Sequence, residues 1–337
     1  MRANLVRLTT ATTLTCALGI AGTASAATVR GQEAAKAARP PIAYVIAGDG
    51  NDIYPINTAT SKTGRPVNLG SEPSQLVASR NGQFIYAATG KGVVVVRTAT
   101  NKVVKVIRIA GGVGDLVLGP QGKTLYAAAS KGIIPIFTSA NTAGKSFGAA
   151  ADVIAITPSG KTMFAFAFDA SSVTPVNLGT RKSGARIKIG TNPTAIAFSP
   201  DSKTAYVVAF ATSGDSGGQV VPITIATGRA GPPIPVGSDP STIAISPSGS
   251  TLYVADDAAD DITPISTATG ATGPAIAAGD NPIYIAILPG GKTAYVANDG
   301  ISHVGQGFRV TPVNTTKNTS GKGIYVAMNP TYIAVAP

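Results

Sequence analysis

Three residues have the type and position needed to bind a small ligand: Asp115, Tyr284 and Tyr332. Each stands immediately before a short apolar segment, so a carboxyl group and two phenol hydroxyls share one position in a recurring phrase. If these segments converge in space, the three side chains can line one site and hydrogen-bond to a polar ligand. The alternative is that they only pack at the ends of strands, as aromatic side chains commonly do.

Four lysines form a second candidate surface. Lys123, Lys161, Lys203 and Lys292 each follow a dipeptide typical of a tight turn, such as Ser-Gly or Gly-Gly. If the four turns lie on one side of the molecule, their charges would attract an anionic polymer, such as a cell-envelope polymer or a nucleic acid. The alternative is a repeated turn whose lysines are simply solvated.

The remaining inventory contains little that could act in catalysis. His303 is the single histidine, in the loop "NDGISHVGQG", and Cys16 is the single cysteine. The only glutamates are Glu33 and Glu72. No zinc-binding histidine spacing occurs, and no serine-hydrolase, phosphate-loop or dinucleotide motif stands in a suitable context. The residues therefore favour a non-catalytic protein with no metal site and no cofactor.

A sequence repeat explains how candidate site residues that are far apart in the chain can occupy equivalent positions in the fold. Short apolar segments such as "IAFSP" and "IAILP" recur seven times along the chain; they end at Arg80, Pro120, Pro158, Pro200, Pro247, Pro289 and Pro337. The intervals are 40, 38, 42, 47, 42 and 48 residues. A period of this length is typical of a propeller blade, whereas helical and leucine-rich repeats have other lengths or patterns.

Each unit divides into four predicted strands, and the ends of the chain predict how the units close. The apolar segment is strand one, "KTAYVVA" is typical of strand two, "DITPIS" of strand three and "PPIPVG" of strand four. The first unit, from Ile42, has only strands two to four, whereas "YIAVAP" at the other end is a lone strand one. We therefore predict an all-β, seven-bladed propeller with four antiparallel strands per blade, closed by the C-terminal strand joining the N-terminal blade.

The same parsing distributes charge unevenly. Turns joining strands one to two and three to four carry most of the lysines and arginines, including the four lysines named above. The loops at the other end of the strands carry or adjoin 14 of the 16 acidic residues. The propeller should therefore have a basic rim and an acidic rim.

The N-terminal residues have the pattern of an export signal. Residues 1–26 contain Arg2 and Arg7, an apolar run and an Ala-Ser-Ala cleavage site. Residues 27–41 are rich in alanine and end in Pro-Pro, which is typical of a flexible linker, and the propeller should span 42–337. Removal of the signal leaves 25 basic and 16 acidic residues, a net charge of +9. We expect a secreted protein with no membrane span, free or associated with the cell envelope.

The phrase "TAYVAN" at 293–298, with "PGGK" before it and "VTPVN" after it, resembles the YVTN-type β-propeller repeat of bacterial and archaeal surface proteins. The resemblance covers Ile42 to Pro337 and implies the same fold, but propellers host many functions. Two hypotheses follow. One is a non-catalytic binding or scaffold module whose partner is an anionic envelope polymer or another surface protein. The other is a lactonase-like or lyase-like hydrolase with its site at the channel mouth.

Overall fold

The repeated segments form seven antiparallel sheets. The computed structural model describes residues 41–47, 50–210, 217–300, 309–326 and 330–336. The predicted signal, nearly all of the predicted linker and His303 lie outside these residues. No helix in the described part is both long and apolar enough to cross a membrane.

The strands follow one another blade by blade along the chain. Blade 1 starts with β1 (Ile42–Ala47), β2 (Asp52–Asn57), β3 (Lys62–Thr63) and β4 (Val67–Asn68). Blade 2 contains β5 (Pro73–Ala78), β6 (Phe84–Thr89), β7 (Gly92–Arg97) and β8 (Lys102–Arg108). Blade 3 contains β9 (Asp115–Leu118), β10 (Thr124–Ala129), β11 (Gly132–Phe137) and β12 (Thr142–Ala143). Blade 4 contains β13 (Val153–Ile156), β14 (Thr162–Phe166), β15 (Ser172–Asn177), β16 (Lys182–Ser183) and β17 (Ile187–Lys188).

The later blades repeat this order. Blade 5 contains β18 (Thr191–Phe198), β19 (Thr204–Phe210), β20 (Gly217–Thr224), β21 (Arg229–Ala230) and β22 (Ile234–Ser238). Blade 6 contains β23 (Pro240–Ile245), β24 (Thr251–Asp256), a short 3₁₀ turn (Asp257–Ala259), β25 (Asp261–Ser266) and β26 (Ile276–Ala277). Blade 7 contains β27 (Pro282–Ile287), β28 (Thr293–Asn298), β29 (Arg309–Asn314), β30 (Thr319–Ser320) and β31 (Ile324–Tyr325), and the chain then enters β32 (Pro330–Ala336).

The predicted closure of the ring is confirmed. Strand β32 pairs antiparallel with β1, and Ala336 stands opposite Ile42 while Tyr332 stands opposite Ile46. The first sheet therefore has the order β3-β2-β1-β32, in which the last strand of the chain is the innermost. The seven-bladed, all-β architecture with four antiparallel strands per blade agrees with the sequence-based prediction.

The outer strands differ from the prediction. In six blades the fourth strand is short or broken, whereas the pattern "PPIPVG" was expected to form one strand. The cause is a proline in strand three, whose missing N–H leaves a gap in the ladder. Its carbonyl instead accepts a bond of 2.7–2.8 Å from a glycine N–H; the donors are Gly64, Gly144, Gly184, Gly231, Gly273 and Gly321.

Apolar side chains between neighbouring blades form the core. Val94 and Val96 of β7 pack with Tyr44 and Ile53 of blade 1, whereas Val93 on the other face packs towards blade 3. The alternation follows from the two-residue period of a strand, which turns successive side chains to opposite faces. Each blade is therefore apolar on both faces, and its neighbours cover both.

Tyrosines of strand two also join adjacent blades. The hydroxyl of Tyr44 donates to Asn101 Oδ1 at 2.6 Å, and that of Tyr86 donates to Asn141 Oδ1 at 3.2 Å. Asn101 and Asn141 have φ of 52° and 51°, so they hold equivalent turn positions of the next blade. The contact couples packing to turn geometry, because it needs both the ring in the core and the left-handed turn residue.

Candidate functional site

The position before each apolar segment lies on the innermost strand of each blade. Neighbouring inner strands contact one another around the ring, which brings these seven positions together. Their residues, from blade 1 to blade 7, are Tyr332, Gln75, Asp115, Val153, Ala195, Thr242 and Tyr284. Blades 7, 1, 2 and 3 thus contribute an arc of large polar side chains, and blades 4, 5 and 6 contribute small ones.

Asp115 lies at one end of the polar arc and contacts the next blade. Its Oδ2 accepts a hydrogen bond of 2.7 Å from the N–H of Ile154 in β13, and its Oδ1 accepts one of 2.6 Å from the N–H of Leu116. Both donors belong to inner strands. The carboxyl group thereby satisfies backbone groups that have no further strand to pair with.

Burial sets the protonation of this carboxyl group. Asp115 has no exposed surface, and its removal from water raises its pKa well above the usual value. Hydrogen bonds from the N–H groups of Ile154 and Leu116 and from the side chain of Gln75 lower the pKa, but burial has the larger effect.

Gln75 connects Asp115 to the tyrosines. Its Nε2 donates to the hydroxyl of Tyr332 at 3.0 Å, and its Oε1 accepts from the N–H of Leu116. The Tyr332 ring stacks against Tyr284, with centroids 3.9 Å apart and planes inclined by 31°. The three predicted residues therefore belong to one continuous cluster, and Gln75 is the member that links them.

The cluster is closed to solvent. Gln75 and Asp115 are 0% exposed, Tyr332 is 1% exposed and Tyr284 is 4% exposed. Its known contacts hold inner strands together, and a ligand could reach these groups only after some side chain moved. Ligand binding here remains a prediction. Gln75 holds the same repeat position in blade 2 and was not among the predicted site residues, although its amide can both donate and accept.

The four lysines of the second candidate surface are all exposed. They occupy the turns between the inner and second strands of blades 3, 4, 5 and 7, directly before β10, β14, β19 and β28. Each turn is closed by a backbone bond of 2.7–2.8 Å, as from Gly160 to Thr157 and from Ser202 to Ser199. Equivalent turns of a propeller lie on one rim, so the lysines share the rim that we name the lysine rim. Lys203 also pairs with Asp201, at 3.6 Å between Nζ and Oδ2.

Two acidic residues at the opposite rim are buried, whereas Glu72, Asp152 and Asp169 are exposed. Asp256 and Asp257 are 0% and 1% exposed. Asp256 Oδ2 accepts a bond of 2.5 Å from the hydroxyl of Thr263, and Asp257 Oδ1 accepts one of 2.8 Å from the amide of Asn281. Asp260 Oδ1 also accepts from the N–H of Asn281 at 2.8 Å. These carboxylates therefore organise the loops of blades 6 and 7.

Burial raises the pKa of Asp256 from 3.8 to about 7. Hydrogen bonds from Thr263 and Gly237 lower that pKa, and the charge of Asp261 raises it further. Among the described residues, no group of three or more His, Cys, Asp or Glu side chains is arranged to hold a metal ion.

Solved structures with the same fold have little sequence similarity to this chain. The hydrazine synthase of Kuenenia stuttgartiensis matches with a TM-score of 0.65 and 18% identity, over 90% of this chain and all (100%) of that one. A protein of unknown function from Desulfotomaculum acetoxidans matches with a TM-score of 0.72 and 14% identity, over 88% and 98% of the two chains. A proposed 6-phosphogluconolactonase from Bacteroides uniformis matches with a TM-score of 0.67 and 16% identity, over 88% and 99%.

These matches support the seven-bladed propeller fold, and identities this low carry no further information. No family model matches the chain, and no curated protein sequence matches it. Membership of the YVTN-type repeat family therefore stays a prediction.

Proposed function

We propose that this protein is an exported, non-catalytic propeller that binds an anionic polymer of the cell exterior through its lysine rim. The observation that carries the proposal is the exposure of Lys123, Lys161, Lys203 and Lys292 at equivalent turns of four blades. Repetition around a ring places these positive charges at equivalent positions of one surface, in the consecutive blades 3, 4 and 5 and in blade 7. A flexible polyanion can then contact several of them at once.

The acidic rim differs from the lysine rim in the role of its charged residues, and this difference supports the lysine rim as the binding surface. Asp256 and Asp257 are buried and hydrogen-bonded, and Asp260 accepts a backbone bond. These acids are used within the fold, whereas the lysines extend into solvent. The net charge of +9 after removal of residues 1–26 favours the same class of partner, because long-range attraction then adds to local contacts.

The buried cluster of Gln75, Asp115, Tyr284 and Tyr332 also favours a binding site on the surface, because its polar groups already have partners within the fold. Gln75, Asp115 and Tyr332 make hydrogen bonds to one another or to inner-strand N–H groups. Their polar atoms thus contribute to the assembly of the ring. The export part of the proposal rests on the signal pattern of residues 1–26.

Charge reversal tests the proposal. We expect the variant with all four lysines replaced by glutamate to lose retention on immobilised poly(glycerol phosphate). For the parent protein, retention should fall as salt rises, since the screening length is about 8 Å at physiological ionic strength. The slope of log affinity against log salt should flatten in the variant, because fewer counterions are released on binding.

The control is an equal change of charge at the other end of the strands. Lys91 and Lys131 lie between strands two and three, Lys188 pairs with Ser172 at the start of β15, and Arg309 begins β29. All four side chains are exposed. Replacement of these four by glutamate should leave most of the retention intact. Equal loss in both variants would mean that only net charge matters, and no loss in either would show that the lysines are merely solvated.

A catalytic test addresses the lactonase-like or lyase-like alternative. The parent protein, Asp115→Asn and His303→Ala should be assayed against a panel of lactones. Turnover by the parent that disappears in Asp115→Asn, while the variant keeps its fold, would replace the binding proposal with an enzymatic one.

A further inference from the structure

The outer strand of blade 2 is unlike those of the other blades. Strand β8 spans seven residues, Lys102–Arg108, with a single bulge at Val104, which lies between the partners of Val95 and Val96. The corresponding strands elsewhere are broken where a glycine N–H bonds to the strand-three proline. Blade 2 has Val95 at the proline position, and Lys105 stands opposite it in the ladder. Both the missing proline and the missing glycine can be read in the sequence "GVVVVRTATNKVVKVIR".

This strand presents a free edge with apolar side chains. Among the described residues, β8 pairs only with β7, so half of its backbone groups point away from the sheet. Six of its seven residues are exposed. Val103, Val104 and Val106 are 37%, 46% and 39% exposed and are three of the five large apolar residues exposed in the described part of the chain. A long edge of this kind is a template for another strand.

The two faces of the edge have different chemistry. Val103 pairs with Val96 and Val106 pairs with Val94, so these valines share the face that packs towards blade 1. Lys102 pairs with Arg97, and Lys105 pairs with Val95, which puts these two lysines on the face towards blade 3. Arg108 pairs with Gly92 and therefore ends the strand on the valine face. Lys105 Nζ donates to the carbonyl oxygen of Ala140 in blade 3 at 3.0 Å, which agrees with this orientation.

We propose that β8 is the docking site for an extended segment of a partner protein in which acidic and apolar residues alternate. The segment would add a fifth strand to blade 2. Its backbone would pair with the free groups of β8, its acidic residues would lie beside Lys102 and Lys105, and its apolar residues beside Val103 and Val106.

Charge complementarity selects this occupant. Strand β8 contains three basic residues and no acidic one. A second copy paired through the same edge, either parallel and in register or antiparallel and centred on Lys105, would place basic side chains against basic side chains, which destabilises a strand pair. The site shares no residue with the lysine rim, so the two proposals stand or fall independently.

The experiment uses the folded protein and a labelled seven-residue peptide of alternating valine and glutamate. We expect fluorescence anisotropy to show saturable binding, at least tenfold tighter than for the same peptide with lysine in place of glutamate. Hydrogen exchange should show that the peptide protects amides within residues 102–108. The comparison of the two peptides uses the parent chain alone and does not depend on the stability of any variant.

Matched variants locate the site. Lys102→Glu/Lys105→Glu should weaken binding of the glutamate peptide at least tenfold. Lys182→Glu/Lys188→Glu, an equal charge change on the outer strand pieces of blade 4, should leave it within twofold. Equal affinity for the two peptides, equal affinity of the parent and the Lys102/Lys105 variant, or protection outside β8 would overturn the proposal. Sedimentation that shows a dimer abolished by Lys102→Glu/Lys105→Glu would also overturn it, because the occupant would then be a second copy.

Discussion

At the scale of single residues, Asp256 shows how the repeat tolerates a buried carboxyl group. Asn298 takes the equivalent place in blade 7, at the end of strand two, and its Nδ2 donates to Thr311 at 2.9 Å. Asp256 likewise bonds to Thr263, the third residue of the next strand. Two blades thus use the same pair of positions, one with a titratable side chain and one without. An amide should therefore fit where the carboxyl stands.

Asp256→Asn should make the protein more stable in neutral and alkaline solution. The pKa of Asp256 is about 7 in the folded protein and 3.8 when unperturbed. Between these values the folded chain holds a proton that the unfolded chain has released, so the free energy of unfolding falls as the pH rises from about 4 to about 7. The variant has no carboxyl group that must lose a proton at this position, so its stability does not fall in this range. At pH 8 its free energy of unfolding should exceed that of the parent by at most about 4 kcal/mol. Denaturant unfolding at pH 5 and pH 8 measures the difference.

The exposed Asp201 provides the control. Hydrogen bonds from Ser199 and Lys203 lower its pKa. Its contribution to stability is therefore present above its ordinary pKa and lost only in acid, so Asp201→Asn should not gain stability at pH 8. Lower stability of Asp256→Asn than of the parent at pH 8 would show that the carboxylate is needed in its charged form.

The repeat also made part of the channel cluster predictable. Asp115, Tyr284 and Tyr332 were identified because repeat position implies a shared place in the ring, and the structure brings them into one cluster. Their burial was not predictable. It depends on how Gln75 and the neighbouring rings fill the space, and a spacing pattern contains no information on that packing.

At the scale of strands, one proline decides the form of a blade's outer edge. Six blades have a proline in strand three, opposite a tyrosine or phenylalanine of strand two, and blade 2 has Val95 opposite Tyr86. The apolar pattern of strand four does not predict its break, because the break depends on a residue of strand three. A glycine nine residues after the strand-three proline, in all six of these blades, was the available signal.

Val95→Pro should convert β8 into a broken strand. Proline removes the N–H of residue 95, and its ring hinders the pairing of this residue with Lys105 in β8. We expect Val95→Pro to be at least about 1 kcal/mol less stable than Val95→Ala, which loses side-chain packing but keeps the N–H. Hydrogen exchange should report faster exchange in residues 102–108 for the proline variant only. Equal stability and equal protection in the two variants would show that the proline does not shape this edge.

At the scale of the whole molecule, the ring is held by contacts that cross the chain ends. Strands β1 and β32 pair over six positions, and the hydroxyl of Tyr295 in blade 7 donates to the carbonyl of Thr58 in blade 1 at 3.4 Å. This closure was predictable, because a unit without strand one and a lone strand one complete each other. A sequence period identifies such complementarity without any knowledge of side-chain packing.

Removal of residues 328–337 should abolish cooperative unfolding or lower the melting temperature by well over about 10 °C, because several buried side chains of about 1.5–3 kcal/mol each are lost along with one edge of β1. Calorimetry of the truncated chain measures this effect. A permuted chain is the control, with Pro330–Ala336 moved ahead of Pro41 through a short turn, since Ala336 stands opposite Ile42. The permuted chain should melt near the parent. A truncated chain that melts within a degree or two of the parent would refute the closure.

The pairing of β1 with β32 also determines when the ring can close during translation. Tyr44 is among the first core residues to be made, yet its strand gains its inner partner only after residues 330–336 have been translated. At about 5–20 residues per second, the interval is roughly 15–60 s. During that time blade 1 has an uncovered strand edge that can pair with other nascent chains. Demand for a chaperone should therefore be greatest while the codons between those for Ala47 and Pro330 are translated, and slow codons in that interval should lower the yield more than the same codons before the one for Ile42.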